Sequence, residues 1–195
     1  RVAAAMLLTL RGSPFLYYGE ELGMEGSFPR RRELRDPLGI ATWPLRAYGR
    51  DPERAPMQWD SSPNAGFTDG RPWLPLEPGW RGRNVEVQER DRGSVLNFYK
   101  ALLALRRSRP ELALGDLAFV GEDPDVLAYE RRGDGGAAGE GRVLVVLNFA
   151  SKDRRFELPS DASVLLGTHR EAGARNRAGR TELRPCEVLL LEGRD

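Results

Sequence analysis

The chain of 195 residues sets 30 basic against 29 acidic side chains, a net charge of +1, and is 40% apolar. That balance offers nothing to recommend a nucleic acid or an anionic membrane as partner, while the apolar share is enough to build a core. A single cysteine, Cys186, excludes an internal disulfide and suits a reducing, cytoplasmic setting. The longest apolar stretches run to about ten residues, half of what a bilayer-spanning helix needs.

Val2 to Leu10 has no polar face, as expected of a helix buried in a larger protein. Gly12 is placed to end it in the left-handed conformation. The run Pro14 to Tyr18 (PFLYY) has the texture of a parallel strand covered on both sides, with Gly19, Glu20 and Glu21 at its carboxyl end. Residues 25–93 contain no long periodic segment but hold all four tryptophans, Trp43, Trp59, Trp73 and Trp80. Aromatic-poor composition marks disorder, so this stretch is expected to be an ordered excursion with short helical turns.

Ser94 to Arg107 reads as an amphipathic helix with Ser94 as N-cap and Arg106 and Arg107 near the negative end of its dipole. Pro110 is expected to end it. From about residue 115 the texture becomes β-rich: Leu117–Val120, Val126–Arg131, Arg142–Phe149, Arg154–Leu158, Ser163–Leu166 and Glu187–Leu191 are short runs between turn signals. Asp134 to Gly141 (DGGAAGEG) reads as a hairpin tip. The expected division is therefore 1–112 and 113–195.

Five segments in order carry a resemblance. They are GSPFLYYGEE (Gly12–Glu21), LRDPLGIATWP (Leu34–Pro44), GRDPERAPMQWD (Gly49–Asp60), NAGF with PWL (Asn64–Phe67, Pro72–Leu74), and LRPCE (Leu183–Glu187). Together they resemble the C-terminal part of a bacterial α-glucosidase or oligo-1,6-glucosidase of the α-amylase superfamily, glycoside hydrolase family 13. The resemblance implies a fold: the C-terminal portion of a (β/α)8 TIM barrel with a long loop at 25–93, followed by an antiparallel β-sandwich. It also implies a retaining α-glucosidase acting on terminal bonds of short oligosaccharides. Trehalose synthase, sucrose isomerase and a non-catalytic amylase-like module stay open as alternatives.

A retaining glycosidase needs two carboxyl groups about 5–5.5 Å apart. By the resemblance, those residues lie upstream of this chain, which is expected to be inactive alone and to pair with the N-terminal remainder of the same enzyme. Arg50, in the G-R-D element, is then the candidate for fixing the terminal glucose, because a guanidinium supplies planar paired donors. A salt bridge to Asp51 or Asp36 is the competing role. Arg54 is a second candidate for substrate binding, against a structural role. Adjacent Glu20 and Glu21 point to opposite faces of an extended strand and are expected to hold loop backbone rather than do chemistry. Trp43 and Trp59 could stack on sugars or form a small core.

His169 is expected to be solvated, Cys186 to be a small buried residue on a β-run, and Arg30-Arg31-Arg32 to be a solvated face. In the β-rich part, Phe119, Tyr129, Phe149 and Phe156 are expected in the core. No cofactor and no metal are expected; the ligands in the complete enzyme would be α-linked gluco-oligosaccharides.

Overall fold

The computed structural model describes residues 1–43, 49–133 and 141–193. It forms two compact units, one of Arg1–Phe15 with Tyr99–Asp195, the other of Leu16–Phe98. The expected hairpin tip at 134–140 lies outside the described residues.

The first unit opens with helix α1 (Val2–Thr9). Helices α2 (Pro37–Ala41) and α3 (Val85–Arg90) belong to the second unit. Helix α4 (Val95–Ser108) starts where expected, since the Ser94 hydroxyl accepts from the Asn97 N–H at 3.1 Å. Pro110 does not simply stop it; as the first residue of α5 (Pro110–Ala113) it starts a new turn, where its missing N–H costs nothing.

Among the described residues eight strands follow: β1 (Asp116–Phe119), β2 (Val126–Arg132), β3 (Arg142–Asn148), β4 (Arg154–Leu158), β5 (Ala162–Gly167), β6 (Arg175–Asn176), β7 (Gly179–Leu183) and β8 (Val188–Gly193). They pair antiparallel into a six-stranded sheet, β1-β2-β3-β8-β5-β6, and a two-stranded one, β4-β7. Strands β3 and β8 lie at the centre, with Val145 opposite Leu190. Both are buried at successive residues because both faces are covered, which is why they read as unbroken apolar runs. On one face Val126, Ala128, Leu144, Val146, Leu189 and Leu191 share a core with Phe156, Leu158 and Leu183 of the two-stranded sheet. Helices α1 and α5 pack on β3 as well, α1 burying Ala4, Ala5 and Leu8.

The β4–β7 ribbon alternates instead. Phe156, Leu158 and Leu183 face inward, while Arg155 opposes Glu182 and Glu157 opposes Arg180 on the wet face. Strands β6 and β7 were not legible as β-runs, because their residues are polar and β6 is only two residues long.

Four other expectations are corrected. Pro14 to Tyr18 forms no strand: the segment pairs with no other described part of the chain, and Phe15 is 88% exposed. A parallel strand exists only through ladder partners on its edges, so apolar character alone cannot make one. Helix α1 stops at Thr9 with Leu10 already extended, two residues before Gly12, although Gly12 does take a positive φ. Phe119 and Phe149 are exposed, whereas Tyr129 and Phe156 are buried: Phe119 is the last residue of the edge strand β1 and Phe149 follows the end of β3, so few neighbours cover either ring.

Cys186 is exposed rather than buried, since only Leu183 of LRPCE is in a strand and residues 184–187 form the turn between β7 and β8. The Glu187 N–H returns to the Arg184 carbonyl at 3.1 Å, with Pro185 second and Cys186 third at φ +52°. That third position favours glycine. Cys186→Gly is expected to stabilise the chain by about 0.5–1 kcal/mol, as positive φ costs an L-residue about that much; an unchanged or lower melting temperature counts against the assignment.

Candidate functional site

Four of the five family-like segments fall wholly or in part in the unit Leu16–Phe98, whose described residues contain helical turns and no strand. Without a ladder, its backbone groups need side chains as partners. Buried Glu77 accepts from Gln58 Nε2 at 3.1 Å, from the Glu25 N–H at 3.2 Å and from Arg83 at 2.5 Å. Buried Gln88 donates to the Leu22 carbonyl at 2.8 Å and accepts from the Leu96 N–H at 3.0 Å. Asn84 caps α3 through the Val87 N–H at 2.9 Å. Short polar side chains thus hold the loop unit in one shape.

The G-R-D element sits in a reciprocal clamp between residues 35–39 and 49–51. The buried Asp51 carboxylate accepts from the N–H groups of Arg35 at 2.7 Å and of Asp36 at 3.0 Å. Asp36 in turn caps α2 through the Leu38 N–H at 2.9 Å and accepts from the Arg50 N–H at 3.2 Å. The N–H groups of Arg50 and Leu38 hold the Asp36 carboxyl below the usual carboxylate range. Gly49 meets Gly39 so closely that a Cβ on it would lie 2.9 Å from the Gly39 Cα. Only glycine fits there.

The clamp fixes the backbone of Arg50 and leaves its side chain exposed. Asp36 and Asp51, the ion-pair partners weighed against a sugar role for Arg50, instead serve backbone groups around it. Arg54 makes the side-chain ion pair, with its Nη1 3.9 Å from Asp36 and its side chain about half exposed. The signal for the clamp was present as two Asp-Pro pairs, Asp36-Pro37 and Asp51-Pro52. An N-cap-type residue followed by proline at the first helical position marks a helix start.

Further along, the Ala65 carbonyl accepts from the Trp59 N–H at 2.9 Å, and Asn64, Ala65 and Gly66 are all left-handed. A buried alanine at φ +58° is held only where its surroundings over-determine it. Trp73 donates its indole N–H to the Arg54 carbonyl at 3.1 Å and meets Phe67 edge-on. Trp59 is 50% exposed, so it closes no core here. Trp43 is half-buried and lines a small apolar pocket of about 90 Å³ with Phe28, Leu34 and Pro52.

Glu21 accepts from the Gly19 N–H at 2.8 Å, the loop-holding part expected of it, while Glu20 is exposed. His169 and Arg30-Arg31-Arg32 are exposed, as expected of solvated residues. Among the described residues, every carboxylate whose pKa is displaced is displaced downward: Asp36, Asp60 beside Ser62, and Asp125 beside Arg154. None of these three has the raised pKa that suits a general acid. Among the described residues no three His, Cys, Asp or Glu side chains are grouped to hold a metal.

Asp51→Ala strips the clamp of its central acceptor and leaves the half-buried N–H groups of Arg35 and Asp36 without it. A loss of about 2–3 kcal/mol is expected, with hydrogen exchange faster at residues 34–39 and 49–54. Unaltered exchange there is the contrary result.

The alpha-amylase catalytic-domain family model matches residues 1–115. A probable alpha-glucosidase of Rhizobium meliloti (strain 1021) is 37% identical over 159 residues, covering 82% of this chain and 28% of the relative. An oligo-1,6-glucosidase of Parageobacillus thermoglucosidasius is 34% identical over 177 residues, covering 82% of this chain and 31% of the relative. Among solved structures, the trehalulose synthase MutB from Pseudomonas mesoacidophila MX-45 superposes with a TM-score of 0.83 at 31% identity, covering 98% of this chain and 37% of that one. The chain thus spans roughly a third of the length of the proteins it matches.

Proposed function

We infer function from the premise that this chain belongs to the alpha-amylase family, and propose that it is the C-terminal part of a retaining α-glucosidase. In this reading residues 1–112 complete a (β/α)8 barrel and residues 113–195 form its appended β-sandwich. The complete enzyme hydrolyses terminal α-glucosidic bonds of short oligosaccharides in the cytoplasm. The observation that carries the reading is the clamp. Two carboxylates are committed to backbone N–H groups so that the G-R-D arginine is held by its main chain and its guanidinium stays exposed.

Arg50 is the residue proposed to fix the terminal glucose through paired N–H donors. Arg54 is the second, bracketing a hydroxyl together with Asp36. The nucleophile and the acid/base belong to the N-terminal remainder, the proposed partner. Exposed Phe15, Leu16, Tyr17, Tyr18 and Phe28 support such a partner, since apolar side chains of this size seek cover. A second reading, a sucrose-isomerising enzyme, draws on the likeness to the trehalulose synthase.

The purified chain is expected to release no p-nitrophenol from p-nitrophenyl α-glucoside, because binding contacts without a carboxylate pair supply no nucleophile. The complete polypeptide is expected to release glucose from maltose or isomaltose. Conversion of sucrose to an isomer instead selects the second reading. Turnover by the isolated chain sinks the assignment of the carboxylates to the remainder.

A further inference from the structure

The last carbonyls of α1 find their partners outside the helix. A helix leaves four C-terminal carbonyls without intrahelical donors, and α1 has no basic residue of its own in its last turn. Two arginines from elsewhere in the unit supply donors. Arg106 of α4 gives Nη1 to the Leu8 carbonyl at 2.8 Å and to the Leu112 carbonyl at 2.7 Å, and Nη2 to the Gly12 carbonyl at 2.7 Å. Arg131 of β2, fully buried, gives Nη1 to Thr9 at 2.5 Å and Leu112 at 2.9 Å, Nη2 to Gly115 at 2.7 Å and Nε to Asp116 at 3.3 Å, all main-chain carbonyls. The Tyr129 hydroxyl meets the Thr9 hydroxyl at 2.5 Å, and Thr9 donates back to the Ala5 carbonyl at 2.6 Å.

We infer that Arg106 and Arg131 are positioning residues: they pin the peptide Leu8–Gly12, from which the Gly12–Glu21 motif starts. The sheet, which contributes Arg131 and Tyr129, is then more than an appendage, because it sets where that motif begins. Guanidinium groups suit the task, as each spreads five donors over one plane and so reaches carbonyls further apart than the three donors of a point ammonium can. This second clamp, made by Arg106 and Arg131, stands on these contacts alone; its bearing on catalysis rests on the function proposed above.

The peptide bond after Arg11 reports on the clamp. Arg11 is itself exposed, with an ion pair to Asp116 at 3.2 Å, while Arg106 holds the carbonyls of Leu8 before it and of Gly12 after it. In Arg106→Gln, trypsin cleavage after Arg11 is expected to rise about tenfold relative to cleavage after Arg155 and Arg180, which lie on the two-stranded sheet. A general loss of stability would raise all three together, and that result, like an unchanged ratio, overturns the clamp. Arg106→Lys is expected to restore protection only in part.

In the complete polypeptide, Arg106→Gln is expected to lower kcat about tenfold with little change in KM, since the pair touches no substrate. A raised Arg11 cleavage with kcat unaffected keeps the clamp and overturns its positioning role. If the unsubstituted polypeptide turns over no glucoside, the proposed function fails, and the trypsin ratio alone decides the clamp.

Discussion

Replacing Arg131 with methionine is expected to destabilise the sheet-containing unit by about 3–5 kcal/mol, since each carbonyl left without its charged donor costs about 1–3 kcal/mol before relaxation. Methionine fills much of the volume but donates nothing, so the carbonyls of Thr9, Gly115 and Asp116 lose this donor at a buried site. Burial first, and the neighbouring Arg106 second, push the Arg131 pKa down, yet the ring of carbonyls favours the charged form and a guanidinium does not release its proton in proteins. The melting temperature is expected to fall by roughly 10–20 °C. Arg131→Lys is expected to recover only a minority of that, because a point ammonium cannot reach acceptors spread around a plane. A methionine variant that melts within about 2 °C of the parent would falsify the claim that these contacts stabilise the unit.

The second large effect is alkaline. Burial pushes the Tyr129 hydroxyl up from its ordinary value near 10 to about 12, opposed by its hydrogen bond with Thr9 and by Arg131. Because the folded value lies above the unfolded one, the contribution is intact below pH 10. Between pH 10 and pH 12 the unfolded chain releases the phenolic proton while the folded chain keeps it, so stability falls as pH rises. The slope approaches about 1.4 kcal/mol per pH unit, and the loss is about 2 kcal/mol at pH 12, nearing about 3 kcal/mol above it. Tyr129→Phe is expected to flatten that slope in urea titrations at pH 9, 10, 11 and 12. Tyr18, also raised chiefly by burial, is largely exposed and is expected to contribute far less. A slope that survives in Tyr129→Phe refutes the assignment.

Much of this molecule is written in its local sequence. Strand β4 falls on the residues expected, Arg154–Leu158, and β3 within one residue of them, because alternation or an unbroken apolar run is a property of the segment itself. Ser94 caps α4 for the same reason, since a hydroxyl three residues before a free N–H finds it without outside help. The family motifs are equally local, and they suffice for membership of the alpha-amylase family.

What only the tertiary structure decided concerns partners distant in the chain. Pro14 to Tyr18 has strand-like composition and no ladder, as hydrogen-bonded neighbours cannot be read from a single segment. Arg106, a cation near the end of its own helix by sequence, turns to the carbonyls of Leu8, Gly12 and Leu112. Arg131 looks like one more charge on a β-run, yet it is fully buried under carbonyls more than a hundred residues away at Thr9 and nearer at Gly115. Asp36 and Asp51, natural ion partners for Arg50 by proximity, serve backbone groups on the opposite side of the clamp. Periodicity and capping are short-range forces recorded in order along the chain, whereas the satisfaction of a buried carbonyl or N–H depends on whatever the fold brings within 3 Å of it.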